Sequence, residues 1–173
     1  NAARHAYAAG WEILKLYFMI GQPTETDADV EGIVETSKKI LAEGRRAVGN
    51  RASCTLSASS FVPKAHTPFQ WLPMDRMENL ERKQELIRKI TPRGIKFRHH
   101  DTRVSYIEAV YSRGDRRLGA VLERAWRAGA LFDGWNEHYR HDLWMDAFRE
   151  EKVDPDFYAY AEYPVKGALP WDV

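Results

Sequence analysis

A chain of 173 residues with 44% hydrophobic and 12% aromatic residues has enough apolar material for one domain-sized core. Its formal net charge of +1 excludes a whole-chain field that would draw it to nucleic acid or membrane, and no apolar run reaches the ~20 residues that span a bilayer. The single cysteine, Cys54, excludes a disulfide scaffold and any cysteine cluster within the chain, and it points to a cytoplasmic setting.

The chain opens on NAARHAYAAG, without an initiator Met. This stretch reads as the end of an Ala-rich helix over residues 2–9, with Gly10 as its C-terminal cap. It has neither the long apolar centre of a secretory signal nor the makeup of a transit peptide. The last residues, ALPWDV, carry neither helix nor charged tail, so the expectation is an internal piece of a longer protein. Residues Ile13 to Ile20 are apolar, β-branched and aromatic, which predicts a strand, and Gln22-Pro23 stops it. Thr26 is a good N-cap, and Asp27 and Asp29 suit the positive end of a helix dipole. Val30, Ile33, Val34, Ile40 and Leu41 form the apolar stripe of that helix to about Glu43, with Gly44 closing it. Ser53 to Val62 predicts a second strand, stopped by Pro63.

Helix, strand, helix, strand is the order of a parallel α/β protein. Beyond Arg76 the composition shifts. Residues 76–90 predict a charged helix with Met77, Leu80, Leu86, Ile87 and Ile90 as apolar positions. GIKFRHH (94–100) is a candidate strand, and helices follow near 103–112, 115–128 and 141–151. The expected fold class is α/β, with part of a parallel domain at 1–75 and a mostly helical extension at 76–173. Two parallel strands make no self-sufficient sheet, so the isolated chain is expected to be poorly soluble or partly molten.

Strand parity carries chemical information. Leu14, Leu16, Phe18 and Ile20 share one face of the first strand, and Lys15, Tyr17 and Met19 share the other. On the second, Cys54, Leu56 and Ala58 oppose Thr55, Ser57, Ser59 and Phe61. A doubly covered parallel sheet is apolar on both faces, and this one is not. A barrel whose lumen holds a ligand has this distribution, and so does a sheet whose polar face meets water. The corner GQPTET is no phosphate loop, because it has one glycine and no Lys-Ser/Thr pair, and Glu25 would repel phosphate. It is a strand-to-helix corner at the end of the sheet where ligands bind in parallel α/β proteins. Glu25 there either reaches a ligand or only favours the helix N-terminus.

The strings KLYFMIGQPTETDADVEGIV and SASSFVPKAHTPFQW resemble the fifth and sixth strands of a radical SAM enzyme. They are similar to the B12-binding-type radical SAM family, with its KLYFMIGLPTET and SSFVPKPHTPFQW signatures. HDTRVSYIEAVYSRGDRRLG and LPWD resemble that family's segment C-terminal to the barrel, so the likeness runs over nearly the whole chain. Gln22 stands where the family usually has Leu, and Ala65 where it usually has Pro.

The resemblance implies the C-terminal strands and helices of a partial (β/α) barrel. In the family, a Cys-x3-Cys-x2-Cys loop after the first strand holds a 4Fe-4S cluster that chelates S-adenosylmethionine and yields a 5′-deoxyadenosyl radical. Those cysteines are absent here and Cys54 cannot replace them, so the fragment is expected to be inert while its parent is an enzyme. Cobalamin binding in the family belongs to an N-terminal region. Matched position by position, the resemblance places Met19, Ile20 and Gly21 beside the adenosyl group. It places Ser59, Phe61, Val62 and Pro63 against the adenine. Lys15, Tyr17, Thr55 and Ser57 would line the substrate cavity more deeply, with Glu25 at its rim. Taken singly, each of these has ordinary barrel filling as its competing reading, and no residue is assigned a catalytic role. The implied partner is the remainder of the parent polypeptide.

Other features are weaker. His138 and His141 sit three apart near Glu137, but no third ligand has metal-site spacing, and RHHD (98–101) and His66 are similarly ambiguous. Arg45-Arg46, Lys96-Phe97-Arg98 and Arg113 to Arg117 are basic clusters interrupted by Asp101, Asp115 and Glu123. They read first as solvated faces, and second as RNA contacts. Trp126, Trp135, Trp144 and Trp171 read mostly as core. The competing function is a non-catalytic module in which residues 76–173 bind RNA or a protein.

Overall fold

The alternation from Ile13 to Ile20 produces strand β1 (Ile13–Ile20) in the computed structural model, which describes residues 2–172. It pairs in parallel with β2 (Ser53–Ser60), and β2 pairs in parallel with β3 (Ile95–His99), in the order β1-β2-β3. The helices among the described residues are α1 (Ala2–Ala8), α2 (Asp27–Val48), α3 (Met77–Ile90), α4 (Thr102–Arg113), α5 (Leu118–Arg127), α6 (His141–Glu150) and α7 (Pro155–Tyr160). The chain is therefore α/β, with a small parallel sheet. No helix among the described residues is long and apolar enough to cross a membrane.

Contacts divide the chain into two compact units. One holds the residues up to Ser60 with Glu78–His100, and so the whole sheet; the other holds Phe61–Met77 and the residues from Asp101 onward. In the first unit α2 packs against β2 and carries buried Val30, Val34 and Leu41, and Cys54, Leu56 and Ala58 of β2 are buried as well. Leu80 and Ile87 of α3 are fully buried in the same unit. The start of α2 is fixed as its sequence suggests. Thr26 and Asp29 form a reciprocal capping box, with the Thr26 N–H donating to Asp29 Oδ2 at 2.8 Å.

Two boundaries depart clearly from the sequence reading, and one candidate strand takes its place in the sheet. Gly44 does not close α2, which runs on to Val48 and caps at Gly49 with φ 65°. A Cβ on Gly44 would lie 2.6 Å from the Tyr7 ring, so this glycine serves the close packing of α1 on α2. Strand β2 ends at Ser60, not Val62. Its neighbour β1 turns away at Gly21 (φ 82°) and β3 ends at His99, so Phe61 has no strand to pair with. The segment GIKFRHH supplies the third strand of the same parallel sheet.

The second unit is built from α4 to α7 with the loop 61–76. Helix α4 packs on α7 and α5 on α6, around buried Val110, Leu118, Val121, Ala125, Trp144, Phe148 and Tyr158. Helix α7, capped by Asp154 with Pro155 at its first turn, has no counterpart in the sequence reading. Arg113 is fully buried and donates to the carbonyls of Tyr158, Ala159 and Ala161 at 2.7, 3.1 and 2.6 Å, beneath the Tyr163 ring at 4.4 Å. Trp144 is core, but Trp126 and Trp135 are exposed, against the expectation that most of the tryptophans pack inside.

Candidate functional site

The polar alternation of the strands becomes a set of rows across the sheet. Register pairs Lys15 with Thr55 and Thr55 with Lys96, then Tyr17 with Ser57 and Ser57 with Arg98, and finally Met19 with Ser59. Tyr17 and Ser57 thus share one face of one sheet. That face is open at its edges: Tyr17 is 73% exposed and Met19 45%, while Ser57 on the central strand is buried. Lys15 Nζ lies 4.7 Å from the centroid of the Tyr17 ring, a cation–π contact along β1. Ser59 donates its hydroxyl to the Phe18 carbonyl at 3.3 Å.

Above the C-terminal end of β1 the corner is organised by Glu25. Its carboxylate accepts from the Gly21 N–H at 2.6 Å and the Gln22 N–H at 3.3 Å, and Lys83 Nζ of α3 stands 3.4 Å away. Both side chains are out of solvent, Lys83 at 4% and Glu25 at 7% exposure. The positive φ of Gly21 and of Thr24 (67°) wraps the backbone around this carboxylate. Neither sequence reading of Glu25 anticipated this arrangement. The Gly21 amide is thus taken, and Gly21 itself is buried. Ile20 beside it is fully buried.

Phe61, Val62 and Pro63 belong to the second unit. Phe61 is buried and meets Phe69 edge-on at 5.4 Å. Pro63 is buried too, and the following Lys64 pairs with Glu108 and reaches Ser112 Oγ at 2.9 Å.

Cys54 lies among the buried positions of β2, and burial pushes its thiol pKa up. A single buried thiol on the apolar side of a strand does not fit a 4Fe-4S cluster, which needs several thiolates. Among the described residues no group of three His, Cys, Asp or Glu side chains is placed to hold a metal ion. Tyr139 Oη lies 3.0 Å from His141 Nδ1, and the His138 ring is tilted against Phe132 with centroids 6.1 Å apart. The His66 N–H donates to Gln70 Oε1 at 3.0 Å.

The basic clusters divide. Arg113 is buried, and Arg117 is held by Asp115 at 2.7 Å, which leaves Arg116 as the run's exposed cation outside these pairings. Arg46 pairs with Glu43 at 2.5 Å. Lys96 and Arg98, by contrast, stand on the polar face of the sheet. Read as a basic cluster, they were missed as members of that face, although their alternate spacing in β3 is the same signal that grouped Lys15 with Tyr17. Lys83 was missed because it is one of several cations on a charged helix, and nothing local marks it as the buried one.

The chain matches no protein-family model and no solved structure. It is similar to a protein of Methanocaldococcus jannaschii described as uncharacterized protein MJ0966, 26% identical over 153 residues, which covers 88% of this chain and 33% of that protein. The chain thus spans about a third of the length of the curated relative it matches.

Proposed function

We propose that this chain is part of a radical SAM protein of the B12-binding type and supplies the adenosyl-side wall of a cavity for S-adenosylmethionine and substrate. The observation that carries the reading is the adjacency of Tyr17 and Ser57 on the hydroxyl- and cation-bearing face of a parallel sheet. Met19 and Ser59, at the C-terminal strand ends, sit at the top of the same face, the end at which parallel α/β proteins bind ligands. Glu25 and Lys83 fix the backbone there, so any contact from Gly21 comes from a pre-set corner. The cluster belongs to other parts of the protein, since this chain has one cysteine and it is buried. When bound, S-adenosylmethionine supplies the radical precursor; the residues here hold and shield its adenosyl end, and cobalamin, where the protein carries it, binds elsewhere.

The test is anaerobic reconstitution of the protein expressed from its complete reading frame, followed by assay for 5′-deoxyadenosine with a reductant. A full cluster complement that forms none overturns the reading.

A second reading, a protein-interaction module, has one observation in its favour. The second unit exposes Leu122 and Trp126 on α5 and Leu131, Phe132 and Trp135 in the segment between α5 and α6. A complete reading frame without a Cys-x3-Cys-x2-Cys motif would favour it.

A further inference from the structure

We infer that the lower half of the sheet's polar face is an anchoring site for a phosphate-bearing small molecule, held by Lys15, Lys96 and Arg98. The inference rests on the cavity reading above and adds the substrate class to it. At the face positions of the three strands stand Lys15, Tyr17 and Met19, then Thr55, Ser57 and Ser59, then Lys96 and Arg98. None is acidic. Ion pairs hold Arg4, Arg82, Arg117 and Arg124 elsewhere on the surface, yet among the described residues none of these three cations has a carboxylate within pairing distance. Lys15, Thr55, Lys96 and Arg98 line a common depression. All three side chains are exposed in this chain and, on the cavity reading, face the space that the ligand enters.

Spacing selects the ligand. Strands lie ~4.8 Å apart, so Lys15 and Lys96 straddle β2 at roughly 10 Å, while Lys96 and Arg98 stand about 7 Å apart along β3. One carboxylate cannot touch all three, whereas a diphosphate or a phosphate ester with several oxygens can. Two ammonium groups act as point charges and the guanidinium as a two-pronged donor, the combination that phosphoryl oxygens accept. The hydroxyls of Thr55 and Tyr17 add neutral donors. Lys15 is also about 13 Å along β1 from Met19, at ~3.3 Å per residue. The anionic group therefore sits far from the strand ends, and its binding serves to position the rest of the molecule.

The experiment is calorimetric titration of the protein from its complete reading frame with inorganic pyrophosphate at fixed ionic strength. Citrate serves as the carboxylate probe and a short single-stranded RNA as the polymer probe. Saturable pyrophosphate binding is expected, weakened about tenfold or more by Lys96→Ala and by Arg98→Gln, and kept by Lys96→Arg. Neither side chain belongs to the core of this chain, and melting curves of the variants, recorded alongside, separate lost binding from lost folding. Absence of saturable binding, equal binding by the variants, tighter citrate binding, or binding of RNA alone would each overturn the inference. The underlying reading fails separately. Deoxyadenosine formation without pyrophosphate binding removes only the anion site, and pyrophosphate binding through these residues without deoxyadenosine removes only the radical chemistry.

Discussion

At the scale of single residues, the buried pair of Glu25 and Lys83 is the most consequential contact in the first unit. Two charges out of water are costly, and here the cost is offset by the pairing and by two backbone amides on the carboxylate. Removing Lys83 leaves the Glu25 carboxylate buried with only its two backbone amides to balance it, and breaking a buried pair in general costs about 3–5 kcal/mol. Lys83→Met should therefore lower unfolding stability by roughly 3 kcal/mol in urea titrations. The double variant with Glu25→Gln should lose clearly less than the sum of the single losses. Strict additivity would show that the two do not act together. Asp115 offers a second residue-scale test. Hydrogen bonds from Arg117 and Tyr158 hold its carboxyl at about 2, below the usual 3.8. A depressed folded value means that the stabilisation is complete above the unfolded value and disappears as pH falls through the folded one. Stability should thus drop between about pH 4 and pH 2, and Asp115→Asn should flatten that part of the curve.

At the scale of elements, α2 carries a matched pair of glycines. Gly32 meets nothing within 4 Å of an added Cβ, while at Gly44 the same atom would strike the Tyr7 ring at 2.6 Å. Gly32→Ala should raise the unfolding free energy through helix propensity, by up to about 1 kcal/mol. Gly44→Ala should lower it by about 1–3 kcal/mol through overpacking, unless Tyr7→Ala is made with it. These two positions also show what the sequence could and could not convey. Strand β1 and the N-cap at Thr26 were readable because period-two alternation and capping chemistry are local, while the return bond from Asp29 that completes the capping box came only with the structure. The face shared by Lys15, Tyr17, Thr55 and Ser57 was readable for the same reason. Gly44 was misread as a helix end because the ring that requires it lies in α1, far along the chain. The corner partner of Glu25, the membership of Lys96 and Arg98 in the polar face, and the end of β2 at Ser60 were hidden likewise. Each depends on which distant segment arrives beside it.

At the scale of the whole molecule, the burial of the sheet is lopsided in a way that predicts behaviour in solution. On β2 the helix-facing residues Cys54, Leu56 and Ala58 are fully covered, yet Leu14, Leu16 and Phe18 in the same rows on β1 are only half-buried. Strand β1 is also a sheet edge, with Trp11, Ile13 and Tyr17 exposed along it. A parallel edge strand bearing apolar side chains on one face and unpaired backbone groups along its length is a template for pairing with another chain. The third strand makes the sheet sturdier than two strands alone would be, but it adds to the opposite edge and leaves β1 as it is. The 173-residue chain by itself should therefore bind a hydrophobic dye and sediment with a mass that grows with concentration. Ile13→Lys should suppress the association, because a charge on an edge strand opposes strand addition. In the protein expressed from its complete reading frame, on the cavity reading, a further strand covers this edge and Ile13→Lys should instead be destabilising. A chain that stays monomeric and excludes the dye at every concentration, with the substitution neutral in both settings, would mean that β1 is a native edge and that no barrel continues from it.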